Sequence, residues 1–233
     1  MQLTLLSHSA KIAFALASAT LFIVALAFLS LEPTIGRTAT FASTTDEFLI
    51  TQTITGEISF LVPAADVTMA GAINGITGGN STGTTFAVVR TNSVTGYTMD
   101  LSFSNSPAMR GNVSTSTSIR NYVGVAGEPQ FAFTASSAAL FAYTVSASNT
   151  VDLDQSFLDN GSVCNSVGGS DTADACWMGG IATSTFRIVN RSSSADTGAT
   201  TSLKFRINVP NNPSPAVVAD TYTATATLTA TNQ

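Results

Sequence analysis

Apolar and polar side chains alternate at a period of two through most of this chain. The pattern is most regular at the end, where Tyr222, Ala224, Ala226, Leu228 and Ala230 share one parity and threonine holds every odd position from 221 to 231. Successive side chains of a strand point to opposite faces, so such a segment buries one row and wets the other. The same arrangement sets Leu203, Phe205, Ile207 and Val209 against Lys204, Arg206 and Asn208, and Tyr97, Met99, Leu101 and Phe103 against Thr98, Asp100 and Ser102. Earlier, Phe48, Ile50, Ile54, Ile58 and Phe60 alternate with Thr51, Thr53, Thr55, Glu57 and Ser59, which predicts one long strand over 48–62.

Further strands are expected at 84–91, 130–135, 140–147 and 181–190, for a total of roughly eight to ten. The short connection 92–96 ends in Gly96 and predicts an antiparallel hairpin between 84–91 and 97–104. Helical periodicity is absent after residue 42, apart from a short turn expected around 135–139. Half-buried strands without crossover helices predict an all-β fold, two antiparallel sheets packed face to face as an Ig-like or jelly-roll sandwich. Residues 43–233 suit a single domain of this kind. Loops are expected at 105–118, 148–180 and 210–219, and the second is long enough to be a folded surface excursion.

Ahead of the strands, the twenty residues from Ile12 to Leu31 carry no formal charge and follow Lys11. As a helix they would reach roughly 30 Å, enough to span a bilayer, which predicts an anchor. Thr40-Phe41-Ala42 offers the small residues of a signal peptidase site, which predicts removal of 1–42 instead. Both fates place the remainder outside the cytoplasm, secreted or at the cell surface. A membrane is expected to be met only through residues 12–31, if they are kept.

Beyond residue 42 the acids outnumber the bases 13 to 7, which argues against a nucleic-acid partner. The single histidine, His8, precedes the apolar run, so a Ser-His-Asp or Cys-His arrangement is excluded from an exported remainder. An isopeptide crosslink would need a lysine, and Lys204 alone is available beyond residue 42. Non-enzymatic function is therefore expected. Cys164 and Cys176, the only cysteines, read as one disulfide in an exported chain.

The stretch 152–161 gathers oxygen ligands and admits a calcium reading. It departs from the EF-hand loop, with Phe157 where glycine is needed and Val163 where the bidentate glutamate belongs. Two readings stand: an irregular Ca²⁺ site built from Asp152, Asp154 and Asp159, with Asp171 or Asp174, and a plain acidic loop. No other cofactor is expected. Trp177, next to Cys176, is either a plug over the disulfide or, with Tyr122, part of an exposed aromatic row for sugars. Asn80, Asn112, Asn160 and Asn190 head glycosylation-type triplets, a short pattern that recurs by chance in so Ser-rich a chain.

Gly75-Ile76-Thr77-Gly78-Gly79, Thr91-Asn92 with Gly96-Tyr97-Thr98, and the ending Asp220-Thr221-Tyr222-Thr223-Ala224-Thr225 together carry a resemblance. Over 67–233 the chain resembles exported, largely uncharacterised β-sandwich surface proteins of ultra-small bacteria. Asp220 stands where that family has glycine, and Cys176-Trp177-Met178-Gly179 where it has an aromatic Trp-Tyr-Gly segment. The resemblance implies a sandwich displayed outside the cell.

The expected function is a non-enzymatic structural or adhesive surface protein whose partners are other surface proteins, further copies of itself, or glycans. One alternative is a filament subunit. It would be pilin-like, although the glutamate and Gly-Phe processing signature of that helix are missing, or strand-complemented through 48–62. Another is a carbohydrate-binding module using Trp177 and Tyr122.

Overall fold

The computed structural model describes residues 45–124, 127–135, 137–181 and 184–233. Its ten strands are β1 (Ile58–Val62), β2 (Gly79–Thr91), β3 (Tyr97–Phe103), β4 (Met109–Gly111), β5 (Ser118–Asn121), β6 (Leu140–Ala147), β7 (Phe186–Arg191), β8 (Ala195–Val209), β9 (Tyr222–Thr223) and β10 (Ala226–Asn232). Seven form one sheet in the order β1-β2-β8-β6-β5-β4-β9, and three form a second in the order β10-β3-β7. The two longest strands, β2 and β8, pair antiparallel from Gly79↔Val209 to Thr91↔Ala195 and make the backbone of the larger sheet. Two single-turn 3-10 helices, Thr150–Asp152 and Gln155–Phe157, are the only helical elements described.

The alternation does what its period requires. Tyr97, Met99 and Leu101 of β3 and Leu203 and Ile207 of β8 are buried, and they meet Phe141, Tyr143 and Val145 of β6 in one core between the sheets. Phe103 lies edge-on to Phe141 at 5.7 Å and tilted against Tyr143 at 5.8 Å, which ties the smaller sheet to the larger. β6 shows no alternation because both of its faces are covered: Phe141 and Tyr143 look inward, while Ala142 packs under Phe133 and Trp177.

Five expectations are corrected. The 48–62 strand is realised only as β1, and Phe48, Ile50 and Ile54 are 79%, 81% and 83% exposed instead of buried. The 84–91 and 97–104 segments do not form a hairpin; β2 and β3 belong to different sheets, and 92–96 arches between the layers. Both strands carry a buried apolar row, so facing each other across the core satisfies both. Gly96 makes the arch, with φ +82° and a hypothetical Cβ only 2.0 Å from the Arg191 carbonyl oxygen.

The third correction concerns the regular 221–231 alternation, which breaks at Ala224-Thr225 into β9, paired with β4, and β10, paired with β3. In the fourth, 130–135 yields no strand; Gln130 makes a lone bridge to Trp177. The pairing is also not wholly antiparallel. β5 and β6 run parallel, Arg120↔Leu140 and Asn121↔Phe141, because the loop between them crosses the outer face of the sheet.

Residues 53–233 form one compact unit. The described residues before it, 45–52, contain neither helix nor strand. Among the described residues no helix is long and apolar enough to cross a membrane. The expected signal or anchor at 1–42 lies outside the described residues.

Candidate functional site

The 148–180 excursion holds most of the residues singled out from the sequence. Cys164 and Cys176 are joined, with Cα atoms 5.7 Å apart. Around that bridge each acid has its own partner. Asp152, nearly buried, accepts a 2.5 Å bond from Nη1 of Arg191. Asp154 caps the second 3-10 turn, accepting from Ser156 N at 3.1 Å and Ser156 Oγ at 2.7 Å. Asp159, 1% exposed, accepts from Gly161 N at 2.8 Å, Thr172 N at 3.1 Å and Thr172 Oγ1 at 2.9 Å, so one carboxylate closes two turns of the loop. Asp171 accepts from Ala147 N at 3.2 Å, and Asp174 pairs with Lys204.

Burial pushes the Asp171 carboxyl above the ordinary range, Ala147 N opposes this, and the neighbouring Asp159 adds to the rise. Asp152, Asp154 and Asp159 are thus directed to three separate tasks. The structure does not bring them, with Asp171 or Asp174, into a calcium site: among the described residues no group of three or more acids, histidines or cysteines is arranged to hold a metal. The two 3-10 turns direct Asp152 to Arg191 and Asp154 to Ser156, so the carboxylates gathered in sequence do not converge.

The aromatic row is not formed either. Trp177 is 1% exposed, donates from Nε1 to the Asp174 carbonyl at 2.8 Å, and packs against Phe133 at 5.5 Å. Tyr122 is half-buried, stands edge-on to Phe133 at 5.0 Å, and its hydroxyl donates to the Ala132 carbonyl at 3.0 Å. Arg206 lies over Phe133 and Trp177, 5.4 and 5.7 Å from the ring centres. These rings form a second small core on the outer face of the larger sheet, and the tryptophan is its plug.

Two features were not read from the sequence. Asp220 gathers a turn, accepting from Ser114 N at 2.9 Å, Val113 N at 3.2 Å and Thr221 N at 2.7 Å, which holds its carboxyl below the usual range. Its only sequence signal was its place where the resembled family carries glycine. The other is a cleft of about 1230 Å³ that opens between the layers on the side of β1 and β10. Phe60, Phe103, Phe205, Ile207, Val217 and Leu228 line it, and residues 63–76 and 217–224 frame its mouth. No local pattern announces such a cleft, because its walls come from strands scattered along the chain.

Compared with protein-family models, curated proteins and solved structures, the chain matches none.

Proposed function

We propose that this chain is a non-enzymatic, extracytoplasmic surface protein with a structural or adhesive role. The observation that carries the reading is the Cys164–Cys176 disulfide, which belongs with an oxidising compartment and holds the longest loop of the fold in a fixed shape. The exterior supports it: Thr227, Thr229 and Thr231 of β10 stand in an exposed row, a surface suited to contact and carrying little charge.

The finer class of the fold is part of the proposal. Two layers over an aromatic core support an Ig-like or jelly-roll sandwich, here elaborated, since seven strands and three depart from the four-plus-three division of an Ig constant domain. Residues 12–31 serve export, as an anchor or as part of a removed signal, and N-terminal sequencing of native material separates the two. Partners are other surface proteins or further copies of the chain. The buried Trp177 withdraws support from a sugar-binding row.

Protease treatment of intact source cells tests the placement. Arg90 and Arg120 are exposed, so external trypsin is expected to reach the chain before lysis. Protection that persists until the cells are broken would reject the reading.

A further inference from the structure

Protein interiors are close-packed, so an apolar opening of about 1230 Å³ that reaches the core between two sheets is a space that a bound molecule would fill. Its walls belong wholly to residues 60–228, within the one compact unit of residues 53–233. At its depth lie Leu101, Phe103, Phe141, Leu203 and Ile207, none more than 6% exposed, with Phe205 half-buried beside them. The mouth is wetter: Ala64, Thr68, Ala72 and Thr221 are exposed. Apolar cavities of this kind hold apolar molecules in preference to water.

Size, backbone bonding and charge describe the occupant. The space exceeds the roughly 300–1,000 Å³ of pockets for drug-sized ligands, so a long chain fills it better than a compact ring system. On the side of residues 63–76, Ala65 N donates to Thr85 Oγ1 at 3.0 Å, Thr85 Oγ1 donates to the Ala65 carbonyl at 2.9 Å, and Ala70 N donates to the Thr82 carbonyl at 2.8 Å. That wall is tied to β2, so an entering peptide would find a strand edge only at β10 and would bury its other amides without partners. A hydrocarbon chain brings no such groups. Among the described residues that line the cleft, the only charged ones are Asp66 and Asp220. Asp220 keeps its charge because the backbone amides of Ser114, Val113 and Thr221 hold its carboxyl below the usual range. An anionic head would meet two charges of its own sign with no cation to offset them.

We propose that the cleft between β10 and residues 63–76 binds a neutral single-chain lipid, its hydrocarbon against Phe103, Phe205 and Leu228 and its hydroxyl-bearing head at the mouth beside Thr68 and Thr221. The fold then carries a binding activity beyond the contact role proposed above. Its test on purified full chain does not depend on whether the protein proves to be surface-displayed.

The chain is purified in mild detergent and irradiated with one of two probes of equal chain length, a monoacylglycerol or the corresponding fatty acid, each with a diazirine in its hydrocarbon. Peptide mass spectrometry locates the adducts. The expected result is saturable labelling of residues 60–76, 203–209 and 217–228 by the monoacylglycerol, and labelling weaker by about tenfold or more by the fatty acid in mildly alkaline buffer, where it is ionised. Adducts found only ahead of Thr53 overturn the proposal, and so does equal labelling of the cleft by both probes. Ala226→Trp and Ala72→Trp place a bulky ring at exposed lining positions. Each is expected to keep the wild-type circular dichroism and to reduce cleft labelling about tenfold, whereas Val167→Trp, at an exposed position outside the cleft, leaves it unchanged. Cleft labelling that survives both lining variants overturns the proposal as well. A second measurement addresses a protein occupant: the chain is made with photo-leucine and irradiated without added lipid. Crosslinks from Leu203 or Leu228 confined to single chains are expected; crosslinks from either to a second chain would give the cleft to a protein partner and overturn the lipid assignment.

Discussion

Asp152 shows how a single residue can mislead a linear reading. In sequence it opens an acidic run; in space it is nearly buried against Arg191, 39 positions away, beside the hydroxyl of Tyr97. Breaking such a pair leaves a charge without its partner, so Arg191→Ala is expected to cost about 3 kcal/mol in denaturant unfolding. Burial, reinforced by Asp152, pushes Tyr97 up to about 12, and burial pushes Tyr143 higher still. Their folded values lie above the unfolded value of 10.0, so the stability they contribute is complete below that pH and lost as pH rises through the folded values. Absorbance titration is therefore expected to show two of the four tyrosines ionising only together with loss of the near-ultraviolet signal. Asp220 has the opposite sign. Its carboxyl is held down by backbone amides, so its contribution is present above 3.8 and disappears as pH falls through the lower folded value. Amide exchange at Val113 and Ser114 is expected to quicken over that acid range, and Asp220→Ala to quicken it at neutral pH. None of these partnerships follows from local pattern, because each joins residues far apart in the chain.

At the scale of elements, the period-two rows identified β3, β8 and the later part of the final alternation, where a strand has one wet face and one dry. What the rows do not encode is which strand stands beside which. Gly96 was read as closing a hairpin, yet the same glycine serves an arch between layers, since turn chemistry is local and the sheet assignment is not. The final alternation continues unbroken through Ala224-Thr225 while the strand does not, because Tyr222 and Thr223 pair with β4 whereas the chain from Ala226 onward pairs with β3, so the two halves enter different sheets. The disulfide was readable from compartment logic and spacing. Replacing both cysteines by serine is expected to cost about 3 kcal/mol, with faster exchange confined to 159–172, and a loss of structure spreading into β6 and β8 would show the loop to be more than a stapled excursion. Trp177 was readable as a plug on the same bridge. Its emission is expected to stay blue-shifted and unmoved by a panel of sugars, and a red shift on sugar addition would restore the aromatic row.

For the molecule as a whole, alternation was enough to predict an all-β chain, because only sheets turn every second side chain inward, and the aromatic core between seven strands and three is the result. The cleft lay beyond that reading. It exists because the two sheets are unequal in width, so that β10 ends the smaller one beneath the larger, and its walls are assembled from β1, β3, β8 and β10 at once. Residue-resolved amide hydrogen exchange on the purified chain tests this arrangement most directly. The account predicts the slowest exchange in β2, β6, β8 and β3, and in β10 an alternation, amides turned to β3 protected and their neighbours fast. Uniform protection along β10, or rapid exchange throughout β8, would contradict it.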